Sequence, residues 1–331
     1  MEYIFLILTF LSSLILTYVI RKIAIDKSII DNPNDRSSHT VPTPRGGGLA
    51  IVISFYLAVT YYFIIGNLES RLFYALLSGI PLIIISIIDD IISLSPKIRF
   101  ITQFISSALA LFFLNGLQTL DLGFIQFNWV WPLTILCLFG MIWFINLYNF
   151  IDGIDGYASM EAIFVSSALY YFTKNEITLI LAIATLGFIP WNWQRAKIFM
   201  GDVGSTIIGF ILIVLGIYFQ NKGEFSFVNW LILTSLFWFD ATFTLYRRWR
   251  NKEQLSVAHR KHAFQRIVQA GFSHQKTLIF GLIIDVILLG LILITFGNKF
   301  FLIYAFIPTI LILFLITIWI DKRKPFDKII N

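Results

Sequence analysis

Residues 131–158 read WPLTILCLFGMIWFINLYNFIDGIDGYA, which joins an almost unbroken apolar run to a sudden group of polar side chains. The apolar part is long enough to cross a hydrocarbon layer of about 30 Å as a helix. Two amides and two carboxylates then follow within a few residues, and a glycine comes directly after each acid. The two amides are Asn146 and Asn149, and the two carboxylates are Asp152 and Asp155. The stretch therefore predicts a membrane-spanning helix that ends in a polar site.

The composition of the whole chain agrees with this interpretation. Of its 331 residues, 58% are hydrophobic and 13% are charged, whereas roughly a quarter of the residues are charged in soluble domains. The apolar runs predict an all-α polytopic membrane protein with about eleven spans, or about ten if one short run does not cross. These runs are 3–20, 49–65, 72–88, 100–115, 130–148, 158–172, 178–192, 203–219, 228–245, 277–296 and 300–320. No segment between them is long enough for a soluble domain, so we expect one integral membrane domain, 1–331.

The first span and the single cysteine exclude other classes of protein. The span carries Glu2 and no Lys or Arg before Arg21, so it lacks the basic start of a cleavable signal peptide and predicts a retained helix. Cys137 is the only cysteine in the sequence. This excludes an intrachain disulfide and disfavours a zinc cluster.

The formal net charge of +6 raises the question of nucleic-acid binding, which the distribution of the basic residues answers. With the spans given above, 21 of the 25 Lys and Arg residues fall on one side of the membrane. The positive-inside rule then predicts a periplasmic N-terminus and a cytoplasmic C-terminus. Topology accounts for the basic excess, so we expect the lipid bilayer and no nucleic acid as a partner.

The same topology places all the polar clusters on the cytoplasmic side. These clusters are DNPNDRSSHTVPTPRGGG (31–48), Asp89 and Asp90, the opening stretch, FMGDVGS (199–205) and AHRKHAFQR (258–266). A protein that needed only soluble loops would have no reason to load one face with acids at the ends of spans. The asymmetry predicts an active site at the cytoplasmic face.

Asp89 and Asp90 follow a long apolar run and allow two interpretations. Paired acids are often the solvated end of a helix. However, a helix C-terminus carries partial negative charge and disfavours acids. Two adjacent aspartates there predict a cation or a catalytic use.

The acids of the opening stretch also allow two interpretations. If the helix continues, Asn146, Asn149 and Asp152 recur every three residues and share one face. Such oxygen donors suit Mg²⁺ or Mn²⁺ better than Zn²⁺. The alternative is an ordinary Asp-Gly turn. Asp202, between glycines before the eighth span, is likewise either a ligand or a helix cap, and no P-loop motif occurs in the chain.

Two basic segments complete the predicted site. Gly46, Gly47 and Gly48 follow Arg45 and could present backbone N–H groups to an anion, or form a plain flexible loop. His259, Arg260, Lys261 and His262 lie in a basic loop, part of which would attract anionic lipid in any membrane protein. The two histidines add hydrogen-bond donors for phosphate and proton exchange near neutral pH. Acids for a divalent cation and bases for anions at a membrane surface predict phosphoryl transfer.

These motifs, in this order, resemble the polyprenyl-phosphate N-acetylhexosamine-1-phosphate transferases. The resemblance covers most of the chain and implies transfer of a sugar 1-phosphate from a UDP-sugar to undecaprenyl phosphate, with release of UMP. It implies that Asp202 and Asn149 hold Mg²⁺, that Asp155 contacts uracil beside Asp152, and that Asp89 and Asp90 meet the lipid phosphate. The expected substrate-binding set is Asp155, Asn146, Arg45, His259, Arg260 and His262, and the expected catalytic set is Asp89, Asp90 and Asp152.

The chain departs from the peptidoglycan-type members of this family. It has HRKH where they have consecutive histidines, PTPRGG where they have TPTMGG, and His39 where they place a lysine. The departures favour the branch that initiates O-antigen and capsule, whose donors are UDP-linked N-acetylglucosamine or N-acetylated deoxy-amino sugars. The resemblance implies a bacterial inner membrane location, and the choice between monomer and homodimer stays open.

Two alternative functions are carried forward. A phospho-N-acetylmuramoyl-pentapeptide transferase of peptidoglycan synthesis would share the chemistry. A transporter or flippase for a lipid-linked sugar would use acids inside the membrane, such as Asp240 and Asp285. We expect Asp240 to pair with Arg247 or a basic neighbour, and residues 321–324 to anchor the last span at the interface. For the transferase, direct attack by the lipid phosphate and a two-step route through phosphorylated Asp89 both stay open.

Overall fold

The structure is a computed structural model, and it describes residues 2–33, 40–255, 257 and 259–326. His39 and the neighbouring residues of the 31–48 motif lie outside this part of the chain, as does Ala258. The secondary structure is almost entirely helical, with two short antiparallel strand pairs: β1 (Ile30–Asp31) with β2 (Thr43–Pro44), and β3 (Leu120–Asp121) with β4 (Gln126–Phe127). The prediction of an all-α membrane protein is confirmed.

Each predicted span coincides with one helix or with a pair of helices. The first seven of these spans are α1 (Glu2–Asp26), α2 (Gly48–Ile64), α3 (Ser70–Leu77) with α4 (Ile80–Ile91), α5 (Pro96–Leu114), α6 (Val130–Phe150), α7 (Tyr157–Thr173) and α8 (Glu176–Asn192). The remaining four are α9 (Gly201–Lys222), α10 (Phe227–Leu233) with α11 (Ser235–Arg250), α13 (His274–Thr295) and α14 (Leu302–Arg323). A short helix, α12 (Ala263–Gln269), lies between α11 and α13.

Seven of the described helices are long and apolar enough to cross a membrane, or up to eight if the bent pair α10–α11 counts as one span. Helices α2 and α8 are apolar but shorter. The bend of 77° at Thr234 interrupts the run that the sequence presents as one span, 228–245. Large apolar side chains on α1, α6, α13 and α14 are exposed, as expected of helices that face lipid.

Helix α9 lies at the centre of the fold. All residues from Val203 to Gln220 are buried, and the helix packs against α2, α4 and α6. Glycines permit this close approach. A Cβ at Gly48 would lie 2.3 Å from the Cα of Gly204, and one at Gly209 would lie 2.9 Å from the Cβ of Tyr148. The start of α9, which carries Asp202, is therefore held rigidly against the ends of α4 and α6.

Candidate active site

Asp90 is the acid most tightly bound into the site. It lies in the last turn of α4, where a helix C-terminus disfavours negative charge. Its Oδ1 accepts the backbone N–H of Asp202 at 3.1 Å and its Oδ2 accepts that of Val203 at 3.3 Å. The partial positive charge at the start of α9 thus compensates for the position of Asp90. Arg45 donates to the backbone oxygen of Asp90 at 2.6 Å, which adds a fixed cation beside the same turn.

Asp89 faces a second cation. Its Oδ2 lies 3.2 Å from Nη1 of Arg99, and its Oδ1 accepts the backbone N–H of Leu94 at 2.6 Å. The same nitrogen of Arg99 lies 3.8 Å from Oδ2 of Asp202. Arg99 therefore bridges two acids of the predicted site, a role that the sequence analysis missed.

The two asparagines at the end of α6 point to different partners. Nδ2 of Asn149 donates to Oδ1 of Asp202 at 3.1 Å and to Oγ of Ser205 at 2.9 Å. Asn146 exchanges two hydrogen bonds with Gln103 of α5, at 2.8 and 3.2 Å. Together with Asp89, Arg99 and Asp202 these side chains line a narrow polar cleft. A side-chain amide inside a predicted span, 100–115, was the signal that could have identified Gln103.

Helix α6 ends at Phe150, so Asp152 and Asp155 lie in a turn at 151–156 and not on a continued helical face. The helix does not continue as the shared face of Asn146, Asn149 and Asp152 requires, and the alternative of an Asp-Gly turn is the one found. The reason is that Asp152-Gly and Asp155-Gly favour a turn, and Gly156 adopts a φ of 74°. We name residues 151–156 the acid loop.

Asp152 still faces Asp90 and Asp202, the two central acids of the site. It accepts a hydrogen bond from the backbone of Gly201, and its charge interacts with those of Asp202 and Asp90. Burial, followed by repulsion from those two carboxylates, raises the pKa of Asp152 to about 7. The side chain thus exchanges a proton near neutral pH, as a general acid or base requires.

The acid loop and the start of α7 are also held by hydrogen bonds to Asn192. Oδ1 of Asn192 accepts the N–H of Gly156 at 3.2 Å and the hydroxyl of Ser159 at 2.9 Å. Asp155 faces away from the central acids, toward Ala196 and His274. Neither Asn192 nor His274 was identified from the sequence.

The predicted anion cradle at Gly47 and Gly48 has another role in the structure. Their N–H groups donate to the carbonyl oxygens of Phe199 and Met200 at 2.9 and 2.8 Å. These N–H groups are therefore not available to an anion, and the prediction is wrong for both residues. The hydrogen bonds instead fasten the segment that carries Arg45 to the segment that leads into Asp202.

The basic loop and α12 pack through aromatic side chains against the end of α6 and the acid loop. His262 is buried, with its ring centroid 5.9 Å from that of Phe150 and 4.9 Å from that of His259. A Cβ at Gly153 would lie 3.1 Å from Phe264, which shows how closely α12 approaches the acid loop. Arg260 is exposed beside these rings. The described parts of the motifs that the sequence placed on one face thus lie next to one another.

The two histidines of this loop are neutral near pH 7. Burial, followed by the charge of Arg248, lowers the pKa of His259 to about 4. Burial, followed by His259 and Arg248, lowers that of His262 to about 3. The expectation of proton exchange near neutral pH is therefore wrong for this conformation. The rings can serve as neutral hydrogen-bonding groups.

Of the two partners expected for Asp240, Arg247 is not the one found, whereas the charge of its basic neighbour Arg266 does act on the carboxylate. Both carboxylate oxygens of Asp240 accept the N–H of Ala263, at 2.8 and 2.9 Å, which ties α11 to the start of α12. Arg247 instead pairs with Asp321 at 3.0 Å, and Arg266 pairs with the same carboxylate. The end of the last span thus bonds to α11 and α12 in addition to any role at the interface.

The donor set fits a divalent cation that arrives with a phosphate ligand. Among the residues that the structure describes, no group of three or more His, Cys, Asp or Glu side chains could hold a metal ion alone. Mg²⁺ is usually bound by one or two carboxylates together with substrate phosphates and water. Asp202, with Asn149 beside it, offers such a partial set.

Comparisons with known proteins place these observations in context. The sequence profile of glycosyl transferase family 4 matches residues 72–220. A Bacillus subtilis (strain 168) protein named probable undecaprenyl-phosphate N-acetylglucosaminyl 1-phosphate transferase is 30% identical over 349 aligned positions, which cover 97% of this chain and 94% of that protein. The undecaprenyl-phosphate alpha-N-acetylglucosaminyl 1-phosphate transferase of Yersinia pestis is 30% identical, covering 83% of this chain and 79% of that protein. The decaprenyl-phosphate N-acetylglucosaminephosphotransferase of Mycobacterium tuberculosis (strain CDC 1551 / Oshkosh) is 27% identical, covering 81% and 77%.

Proposed function

Because the chain belongs to the polyprenyl-phosphate N-acetylhexosamine-1-phosphate transferases of glycosyl transferase family 4, we propose that it transfers an N-acetylated sugar 1-phosphate from a UDP-sugar to undecaprenyl phosphate. The relatives' names favour N-acetylglucosamine as the first sugar to test. They do not favour the peptidoglycan alternative. The product would be the first lipid-linked intermediate of a surface glycan such as O-antigen.

One observation carries the proposal. Asp90 and Asp202 come from segments 112 residues apart and are joined by a hydrogen bond from the backbone N–H of Asp202 to the carboxylate of Asp90. Arg45 and Arg99 lie beside this contact, at the ends of membrane helices. Acids next to fixed cations at a membrane surface suit a reaction between two phosphate esters. The excess of Lys and Arg in the loops on this side supports a cytoplasmic position for the site, which a UDP-sugar from the cytoplasm requires.

The proposed reaction is an in-line substitution at phosphorus. An oxygen of undecaprenyl phosphate attacks the sugar-bearing phosphorus of the UDP-sugar, the bond to the bridging oxygen breaks, and UMP leaves with that electron pair. Mg²⁺, held by Asp202 and Asn149, would neutralise the charge of the pyrophosphate when bound.

The remaining groups of the site bind, orient and exchange protons. Arg45 and Arg99 hold the phosphates of the two substrates, while Arg260 and the neutral rings of His259 and His262 hold the sugar phosphate. Asp152 has a pKa near neutrality and accepts a proton from the lipid phosphate if that group arrives protonated. Asp89 is bound to Arg99 and Leu94, so its first task here is to orient that arginine.

The test is release of UMP by purified protein in detergent. The reaction contains undecaprenyl phosphate, Mg²⁺ and one donor from a panel of UDP-N-acetyl sugars that includes UDP-N-acetylmuramoyl-pentapeptide. We expect UMP release that depends on the lipid and on one donor of the N-acetylglucosamine class, loss of release with EDTA, and recovery with Mg²⁺ or Mn²⁺.

Variants show whether the proposed site is responsible. Asp202→Asn should reduce UMP release at least ~100-fold, because it removes a charge next to the phosphates. Asp26→Asn, which changes an exposed acid at the end of α1, is the matched control and should retain wild-type release. Equal release by both variants would contradict the assignment. Release only with the muramoyl-pentapeptide donor would identify the peptidoglycan reaction instead.

A further inference from the structure

Asp155 and His274 are 119 residues apart in the sequence and form a mostly buried contact. Oδ2 of Asp155 lies 3.3 Å from Nδ1 of His274, and the two side chains are 11% and 15% exposed. The backbone N–H of Asp155 also lies 3.3 Å from the same ring nitrogen. A protonated Nδ1 donates to the carboxylate and an unprotonated Nδ1 accepts the backbone N–H. Either hydrogen bond holds Asp155 in one orientation.

The elements on both sides of this contact are fixed. Asp155 lies in the acid loop, which Asn192 fastens at Gly156. His274 is the first residue of α13, and the preceding Ser273 accepts the N–H of Lys276 as a helix cap. A ring at the start of a capped helix therefore faces a carboxylate at the end of an anchored loop. Such a geometry keeps a binding group in place before a ligand arrives.

The contacts leave one oxygen of Asp155 for a ligand. Oδ2 also accepts the backbone N–H of Ala196 at 3.3 Å. Among the described residues, the partners of the carboxylate both contact Oδ2. Oδ1 is therefore the oxygen that can accept a hydrogen bond from a substrate.

A fixed carboxylate oxygen distinguishes between pyrimidine bases. Uracil has an N–H at position 3, which donates to a carboxylate, whereas cytosine has an unprotonated acceptor nitrogen at that position. A carboxylate oxygen held at position 3 therefore accepts a hydrogen bond from uracil but meets the lone pair of cytosine, whose nearest donor is the amino group at position 4. The discrimination depends on the orientation of the carboxylate, because a carboxylate that can rotate finds water or another donor.

We infer that His274 is a positioning residue that makes this site selective for a uracil nucleotide by orienting Asp155. The inference rests on the proposed function and on the contact between Asp155 and uracil that the family resemblance implies. His274 itself contacts no reacting atom, so its loss changes nucleotide affinity and base selectivity while the rate of the bound complex is retained.

The experiment is titration calorimetry of UMP and CMP with the purified full-length protein. His274→Ala should weaken UMP binding about 10-fold, as expected for the loss of one hydrogen bond to a charged group. CMP binding should be almost unchanged, so the UMP-to-CMP preference falls by the same factor. Steady-state assays with the UDP-sugar should show a raised KM and a kcat within about twofold of wild type.

Three further variants test whether the Nδ1 atom of His274 is responsible for the preference. His274→Asn places an amide N–H near the position of Nδ1 and should restore most of the UMP preference. His274→Gln places its amide near the position of Nε2 and should not. Gln275→Ala changes an exposed neighbour on the same turn and should behave as wild type. If His274→Ala does not fold, the UMP preferences of His274→Asn and His274→Gln are compared with that of the wild type.

The outcomes separate this inference from the proposed function. A wild-type UMP preference that His274→Ala and His274→Gln leave intact would overturn the inference. So would a loss of kcat in these variants at unchanged KM and unchanged preference. A protein that prefers UMP but releases none from any UDP-sugar would refute the proposed reaction, while the UMP-to-CMP ratio would still decide the role of His274. A wild-type protein that binds neither nucleotide would overturn both.

Discussion

Oδ1 of Asp90, at the end of α4, accepts the backbone N–H of Asp202, at the start of α9, across 3.1 Å. This hydrogen bond therefore stabilises the ends of two helices. A carboxylate at a helix C-terminus gains a positive partner, and the start of a buried helix gains an acceptor for an N–H group that its own helix leaves unpaired. The side chain of Asp202 is left facing Asn149 and Arg99, where a phosphate-bound cation would lie.

We expect replacement of Arg99 to cause a large loss of UMP release, although its side chain is exposed. Its guanidinium bridges Asp89 and Asp202, so Arg99→Ala should reduce UMP release by about 100-fold through the loss of a fixed cation next to the phosphates. Arg99→Lys keeps the charge but replaces a rigid planar guanidinium with a more flexible and more strongly hydrated ammonium group, and should reduce release about 10-fold. Lys97→Ala, an exposed cation on the same turn, is the matched control. Equal activities for Arg99→Ala and Lys97→Ala would contradict the bridging role.

The pKa of Asp152 predicts the sign of one contribution to the pH dependence of stability. Burial raises this pKa from 3.8 to about 7 in the folded protein, so the folded state keeps a proton that the unfolded chain has lost. The free energy of unfolding should therefore fall as the pH rises from about 4 to about 7. Thermal unfolding in detergent without divalent ions, measured across this range, should show that Asp152→Asn lacks this contribution.

The two histidines of the basic loop contribute a slope of the opposite sign. Their pKa values are lowered, so their contribution to stability is present above about pH 6.5 and is lost as the pH falls. The difference between wild type and Asp152→Asn removes this background. Identical slopes for the two proteins would show that Asp152 is not a proton-binding group of the folded state.

The contact between α2 and α9 predicts a large effect of one methyl group. A Cβ at Gly48 would lie 2.3 Å from the Cα of Gly204, a backbone atom that cannot move without shifting α9. Gly48→Ala should lower the free energy of unfolding by at least about 2 kcal/mol. Gly140→Ala places its methyl group in open space on α6 and should raise it by up to about 1 kcal/mol. Unfolding temperatures in one detergent test both, and an unchanged value for Gly48→Ala would mean that the two helices are not in contact.

Glu161 and Asp285 distinguish a transferase from a transporter. The two carboxyl groups lie beside each other on α7 and α13, and both are buried. They lie outside the proposed transferase site, so the double variant Glu161→Gln, Asp285→Asn should retain UMP release. The paired amides can hydrogen-bond to each other, and the unfolding temperature should rise by a few degrees. A transporter that relays protons through these acids would lose its activity in the same variant.

The sequence by itself determined which segments are helices in the membrane. A backbone in hydrocarbon must satisfy its own hydrogen bonds, so a long apolar run leaves almost no alternative to a helix. The eleven predicted runs therefore coincide with helices or helix pairs. The break at Thr234 and the end of α6 at Phe150 were not predictable in the same way. The first has no strong breaker in the sequence, and the second depends on how the Asp-Gly turn packs against α12.

Only the tertiary structure decided which partner each polar side chain has. The acids and bases could be named from composition and order, but the contacts of Asp90 with the start of α9, of Arg99 with two acids and of Asp155 with His274 join distant segments. The same holds for the N–H groups of Gly47 and Gly48, which bond to carbonyl oxygens where the sequence predicted an anion site. Local apolar pattern sets helix formation, whereas hydrogen-bond partners depend on close packing between helices that are far apart in the chain.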